Sequence, residues 1–448
     1  MTRIDSASRR GVLKAAAGLS LAAGAPAVAT PGPAPLAPRP PMGWNSWNSF
    51  ATTINEAQAL ETAAIQAARL LPFGYTVFTI DIQWYEDGAT SYDYSRNPAP
   101  AMDGHGRLVP GPRRFPSSAG GAGFAPLAAK IHALGLKFGV HLMRGIPRAA
   151  VAQNLPILGT RVTARDIADT ASICPWNPDM FGVDMARPGA QAYYNSVFAL
   201  FARWGVDFVK MDDMSRPYDA HLPEIEAAHR AIAASGRPMV LSLSPGETPV
   251  ARAAHVAEHA QMWRISDDFW DEWKLLRDQF VRLENWNDHR RPGAWPDADM
   301  LPLGRLALDS RDCRLTPPEQ RTLMTLWSIA RSPLIMGGDL RKLDAATLAL
   351  LTNREVLGVN QASKANRPHF LQDDTPVWTA QAERGARHYL AVFNTGDKPR
   401  TLAFPLARLG LAAATVRDLW EARDLGRATG TVACAVPPHG ALLYALDA

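Results

Sequence analysis

The chain has 448 residues, 47% of them hydrophobic and 20% charged, with a formal net charge of +4. This length suits two domains, or one large domain with an appendage, and the composition excludes a disordered chain. Arg3, Arg9, Arg10 and Lys14 against Asp5 leave a net +3 in the first 29 residues, so only about +1 remains for the rest, which gives no electrostatic case for nucleic-acid binding.

In chain order, Ser8-Arg9-Arg10-Gly11-Val12-Leu13-Lys14, the apolar run 15–25 and Ala27-Val28-Ala29 read as a twin-arginine-type export signal over residues 1–29. The apolar run is too short to span a bilayer, so no membrane partner is expected once the signal is removed. Residues 30–41 are rich in proline and read as a stiff linker. From Met42, short apolar runs alternate with helical stretches. The expected strands are Met42–Trp47, Thr76–Trp84, Lys137–Met143, Phe208–Asp213, Pro238–Ser244, Met262–Asp268, Ala294–Met300 and Ser332–Asp339.

Ala190, Tyr194, Val197, Phe201 and Trp204 recur at helical spacing, with Pro188 at the first turn and Gly205 as the stop. Leu127, Ile131 and Leu134 repeat the pattern before Gly135. One helix feeding one strand, with eight strands in all, predicts an α/β fold. Residues 42–364 would form a (β/α)8 TIM barrel, with active-site groups at the C-terminal strand ends. An open doubly wound sheet would give similar local patterns, and the count of eight favours the closed barrel. Residues 365–448 hold short runs at Pro376–Gln381, His388–Asn394, Thr401–Phe404, Thr415–Leu419, Thr431–Val436 and Ala441–Leu446, which predict a C-terminal antiparallel β-sandwich.

Val206 to Asp213 reads V-D-F-V-K-M-D-D. On a strand, Lys210 and Asp212 share one face, roughly 6.6 Å apart, while Asp213 turns away. An ammonium beside a carboxylate keeps it ionised, as an attacking carboxylate must be. A strand-end ion pair without chemistry is equally compatible with this segment. In Met262 to Asp268, alternation puts Arg264, Ser266 and Asp268 on one face and Asp267 away from it with Trp263. Two carboxylates from strands four and six facing each other would suit retaining glycoside hydrolysis, where such a pair lies roughly 5–5.5 Å apart. Cys174, Cys313 and Cys434 are widely spaced and expected to be free or buried thiols. The histidines read as scattered, without metal-ligand spacing, and no metal or other cofactor is implied.

Pro40-Pro41-Met42-Gly43-Trp44-Asn45-Ser46-Trp47, Ile80-Asp81, Gly135-Leu136-Lys137-Phe138-Gly139, Val209-Lys210-Met211-Asp212-Asp213, Trp263-Arg264 with Asp268, and Trp295 through Asp299-Met300-Leu301 resemble glycoside hydrolase family 27, chiefly α-galactosidases or melibiases. Arg417-Asp418-Leu419-Trp420 and Val436-Pro437-Pro438-His439-Gly440 resemble the sandwich domain that ends such enzymes. The resemblance runs in register through nearly everything after the linker. It implies a retaining glycosidase releasing terminal α-linked galactose from oligosaccharides or polysaccharides, with Asp212 as nucleophile and Asp268 as general acid/base. Trp47 would be an aromatic floor under the sugar, and Asp81, His141, Lys210 and Arg264 would contact sugar hydroxyls.

Four positions depart from the family's common pattern. Ile82 stands where a second aspartate is usual, His141 replaces a tyrosine, Met214 replaces a cysteine, and Ser244 replaces a glutamate, with Glu247 close by. A site indifferent to the 6-position would prefer β-L-arabinopyranosides, and a small Ser244 would make room for the 2-acetamido group of α-N-acetylgalactosaminides. His141 is read either as a hydroxyl contact or as a histidine satisfied behind the site. Arg144 and Arg148, with the loop between them, read as solvated surface arginines in preference to contacts for an acidic or branched substrate. The rival from another class is a non-cleaving sugar-binding protein, whose sign would be loss of one carboxylate; both are present. The sequence sets no oligomeric state.

Overall fold

Eight buried runs pair in parallel as β1 (Met42–Asn45), β2 (Val77–Ile80), β3 (Lys137–Met143), β4 (Phe208–Asp212), β5 (Val240–Leu243), β6 (Met262–Arg264), β7 (Trp295–Asp297) and β8 (Leu334–Met336). Their order in the sheet is β7-β6-β5-β4-β3-β2-β1-β8. Leu301, just past β7, bridges Met336 in parallel and donates its amide to the Ile335 carbonyl at 2.8 Å, which closes the ring. Every residue of β1, β2 and β5 to β8 is buried, as near-continuous apolar strands covered on both faces must be. The computed structural model describes residues 35–95, 98–372 and 374–448, with only the backbone of residues 371 and 372. The expected export signal lies outside the described residues, as do linker residues 30–34.

The helices carry their own start and stop signals. In α1 (Glu56–Arg69), Asn55 and Gln58 exchange side-chain-to-backbone hydrogen bonds in a capping box. Next come α2 (Ala125–Ala133) and α3 (Ala190–Trp204), which ends at Gly205 with φ +83°. A side chain there would be strained, so glycine lets the chain turn at once into β4. Pro188 lies outside α3 rather than in its first turn, because Gly189 sits at the N-cap. Helices α4 (Tyr218–Ser235), α5 (Ala253–His259), α6 (Trp273–Trp286) and α7 (Pro317–Ala330) follow the later strands.

The barrel strands match the eight expected runs but stop earlier. The second, sixth, seventh and eighth leave the ladder at Ile80, Arg264, Asp297 and Met336, and the residues beyond form the loops of the C-terminal rim. An excursion after β3, Ile146–Pro147 with Ala168–Ile173 and Met180–Val183, forms a small antiparallel sheet that the sequence reading did not contain. The linker is no free spacer where it is described. The Ala37 carbonyl accepts from Trp295 Nε1 at 2.8 Å, and Leu36 and Ala37 pack against Val77, Phe208 and Met262.

The C-terminal part comprises β9 (Ser363–Gln372), β10 (Thr375–Ala382), β11 (His388–Phe393), β12 (Arg400–Pro405), β13 (Ala413–Asp418), β14 (Arg423–Thr429), β15 (Thr431–Val436) and β16 (Ala441–Asp447). A six-stranded sheet, β9-β10-β11-β16-β13-β14, faces the β12-β15 pair across a core of Val377, Leu390, Val392, Phe404, Val432 and Cys434. Its other face, with Trp378, Ala391, Phe393 and Leu443, joins the barrel's own core cluster. The three cysteines are free; Cys174 and Cys434 are buried and Cys313 is half-buried.

Candidate active site

Strand β4 supplies the centre of the site. Lys210 and Asp212 do share one face, and Lys210 Nζ lies 2.9 Å from Asp81 Oδ2 and 3.8 Å from Asp212 Oδ2. Asp81 follows β2; Asn45 Nδ2 at the end of β1 donates to its Oδ2 at 2.7 Å, and its amide donates to Ser46 Oγ at 2.9 Å. Asp212 has two further partners from the flanking strands. His141 Nε2 on β3 lies 2.7 Å from Asp212 Oδ2, and the Ser244 hydroxyl, just past β5, donates to Oδ1. Burial favours the neutral acid, but the Lys210 charge, then His141, then the hydrogen bonds from His141 and Ser244 outweigh it. The Asp212 carboxyl is held well below the usual carboxylate range. For Lys210, burial opposes the charged form, and Asp212 and Asp81 more than restore it.

Asp213 turns away, with φ +63°, and meets Arg144 instead. Arg144 Nη2 lies 2.8 Å from Asp213 Oδ2 and Nη1 2.7 Å from Glu224 Oε1, while Tyr194 donates to Glu224 Oε2. Arg144 is therefore a buried structural cation, not a solvated one. Arg148 is no free surface arginine either: its guanidinium lies over the Phe181 ring, 4.6 Å from the centroid.

The route to Asp268 differs from simple alternation. Strand β6 ends at Arg264, and Ile265 to Phe269 form a loop in which Ser266 is buried while Asp267 and Asp268 are both exposed. Asp268 Oδ1 lies 3.3 Å from Arg264 Nη2, and the Asp268 side chain is 58% exposed. Asp267, expected to face away, lines the same cavity and pairs with Arg216 at 2.8 Å. Arg264 also meets Asp299 at 2.7 Å, and Asp299 Oδ2 accepts from the Phe269 amide at 2.7 Å, which fixes the loop that carries Asp268. Beneath it, burial and then the Asp299 charge push the Asp297 carboxyl up to about 7.

A cavity of about 410 Å3 opens at this rim, and Trp47, Asp81, Lys210, Asp212, Arg264 and Asp268 all line it. His141 does not. It is fully buried behind Asp212, which is the second of its two expected roles, so the sugar contact is corrected to a carboxylate partner. Ser244 likewise gives its hydroxyl to Asp212 and opens no space into this cavity, and Glu247 is drawn off to Arg282 at 2.6 Å. Asp81, His141 and Asp212 could each offer an atom to one cation, all within 4.8 Å of one another, but the Lys210 ammonium already stands between the two carboxylates.

Sequence reasoning missed the aromatic collar. Tyr94 stacks on Trp47 with centroids 5.6 Å apart and planes 14° from parallel, Trp176 lies 5.8 Å beyond Tyr94, and Trp270 lies 6.3 Å from Tyr92. These residues sit in loops without periodicity, and their only signal was aromatic residues in segments otherwise polar. Asp297 and Asp299 had a clearer one, as paired acids at the end of the seventh strand.

A carboxylate held ionised at the foot of an aromatic-walled cavity, with a second carboxylate at its mouth, fits displacement at a sugar carbon. The model of the domain described as alpha galactosidase A matches residues 179–362, and that of the alpha galactosidase C-terminal beta sandwich domain matches residues 372–446. The chain is 49% identical to a glycoside hydrolase family 27 β-L-arabinopyranosidase from Geobacillus stearothermophilus, with a TM-score of 0.90 over 92% of this chain and 97% of that one. The chain belongs to glycoside hydrolase family 27. This family 27 member is a glycosidase. It is also 47% identical, with a TM-score of 0.82, to a Bacillus halodurans C-125 protein provisionally described as an α-N-acetylgalactosaminidase, over 91% of this chain and 97% of that one. It is 28% identical to alpha-galactosidase 2 of Arabidopsis thaliana, over 92% of this chain and 90% of the plant enzyme.

Proposed function

We propose that this glycosidase releases terminal galacto-configured pyranosides with retention, and that β-L-arabinopyranosides turn over faster than α-galactosides. Asp212 attacks the anomeric carbon as Asp268 gives its proton to the leaving oxygen; Asp268 then takes a proton from water as that water displaces Asp212. The single observation that carries the mechanism is the cradle of Lys210, His141 and Ser244, which holds Asp212 as a bare carboxylate facing the cavity. In this reading Asp81 and Lys210 hold sugar hydroxyls, and Trp47 meets the sugar's C–H groups.

The glycone preference rests on position 82. Ile82 is buried and apolar, and its amide donates to Asp81 Oδ1 at 2.9 Å. Asp81 is thus the one carboxylate of the usual pair, which weakens the hold on a 6-hydroxyl. β-L-Arabinopyranose has the ring stereochemistry of α-D-galactopyranose without that arm. The test compares kcat/KM on the nitrophenyl glycosides of β-L-arabinopyranose, α-galactose and α-N-acetylgalactosamine. Faster turnover of either of the last two would overturn the preference. Asp212→Ala should abolish turnover and be partly rescued by azide with inverted product, whereas Asp268→Ala should mainly slow substrates with poor leaving groups. Near-normal activity in both variants would remove the mechanism.

We further propose that residues 1–29 direct export of the folded enzyme to the periplasm or the medium, where oligosaccharides or polysaccharides are its substrates. The support is the paired Arg9-Arg10 ahead of an apolar run and Ala27-Val28-Ala29. A fusion of this segment to a reporter that requires folded export should appear outside the cytoplasm, and Arg9→Lys with Arg10→Lys should retain it inside.

A further inference from the structure

On the outer wall of the barrel, α4 and α5 bring together Glu226, His255 and His259, each half-buried. One ring nitrogen of each histidine and one carboxylate oxygen of Glu226 all lie within 4.8 Å of one another. The sequence reading found no metal-ligand spacing among the histidines. Yet His255 and His259 are four apart on one helix, which sets them on a common face one turn apart, with their rings stacked at 4.2 Å between centroids. The third partner was not visible because Glu226 comes from the preceding helix.

The orientation of each group is set by a second contact. His255 Nδ1 lies 2.8 Å from the Tyr218 hydroxyl, while its Nε2 is buried, has no hydrogen-bond partner and faces Glu226 Oε1 at 3.5 Å. His259 Nδ1 lies 2.8 Å from the His255 carbonyl, which can only accept, so in the neutral ring Nε2 is the nitrogen that offers a lone pair. Glu226 divides its oxygens: Oε2 is 3.0 Å from Arg230 Nη1, and Oε1 is left for the histidines. Tetrahedral zinc with bonds of about 2.0–2.1 Å sets its ligands roughly 3.4 Å apart, so the His255–Glu226 edge already has that length. Imidazole, imidazole and carboxylate are borderline donors of the kind zinc takes, and the half-exposed position leaves water for the fourth place.

We propose that Glu226, His255 and His259 form a site for a zinc-class divalent ion, clamping α4 to α5. Helix α4 follows the strand that carries Asp212, and α5 precedes the strand that carries Arg264, so the clamp would tie the outer wall behind both.

The test uses the full chain, free of any histidine tag and stripped with a chelator. Zinc titrated calorimetrically should bind at one ion per chain and raise Tm, and cobalt in its place should give the visible absorption of a tetrahedral centre. Glu226→Gln preserves shape while removing the anionic ligand; it and His259→Ala should each lose the cobalt spectrum and the zinc-dependent rise in Tm. Both variants should keep glycosidase activity within about twofold, since neither residue reaches the cavity. Absence of stoichiometric binding, or an unchanged cobalt spectrum in both variants, would overturn the site.

Discussion

Lys210 is the residue on which the ionisation of Asp212 turns. It opposes burial with a full positive charge 3.8 Å from the carboxylate, and His141 and Ser244 add hydrogen bonds. Replacing it, Lys210→Met, leaves burial as the first influence, so the Asp212 carboxyl should rise and the acidic limb of kcat/KM should move to higher pH. An unmoved limb, measured on an activated nitrophenyl substrate, would deny Lys210 this role. The same sign governs stability. A carboxyl held below its unfolded value contributes stability in full above the ordinary carboxylate range, and loses it as pH falls through the lowered value. At this scale the sequence was legible where alternation held, as with Lys210 and Asp212 on a true strand. It led to Asp268 by a rule that had already lapsed, because the chain leaves the sheet at Arg264 and the Asp299 contacts with Arg264 and the Phe269 amide, not pleating, bring Asp268 to the cavity.

Between elements, the buried cluster of Arg144, Asp213, Glu224 and Tyr194 joins the end of β3 to α3, the end of β4 and α4. Removing the cation strands two buried carboxylates, so Arg144→Leu should cost about 3–5 kcal/mol in urea unfolding. A loss below about 1 kcal/mol would mean the carboxylates find other partners. Sequence alone shows the charge of Arg144 but not its partners, which lie 69 and 80 positions further along. The barrel's elements were readable because the buried strands are largely apolar and helices α2, α3 and α4 each stop within two residues of a glycine. Strands β9 and β14 were not, since β14 is an edge strand with six of its seven residues exposed and no alternation to detect.

Across the whole molecule, the sandwich is bound to the barrel by a shared core rather than by a tether. Phe280 of α6 meets Phe393 of β11 with centroids 5.0 Å apart, Trp273 stacks on His439 at 4.0 Å, and Arg417 grips Glu355 with both arms at 2.7 and 2.8 Å. Residues 35–448 should therefore unfold in one calorimetric transition, and a chain ended before Ser363 should expose the apolar face of α7 and aggregate. Two resolved transitions would show instead that the parts are energetically separate. The change of texture near residue 365 was visible in sequence. The continuous core across it was not, because alternation in β10 and β11 shows two apolar faces without saying that one of them meets a helix.

The three unpaired thiols carry a consequence for where the chain can mature. With Met214 beside Asp212 and each cysteine left single, no step toward the native state waits on an oxidant. Activity should survive dithiothreitol unchanged, and the enzyme should be obtainable in working form from a reducing cytosol without an isomerase. A loss of activity on reduction would point to a cross-link that this arrangement of sulfurs does not contain.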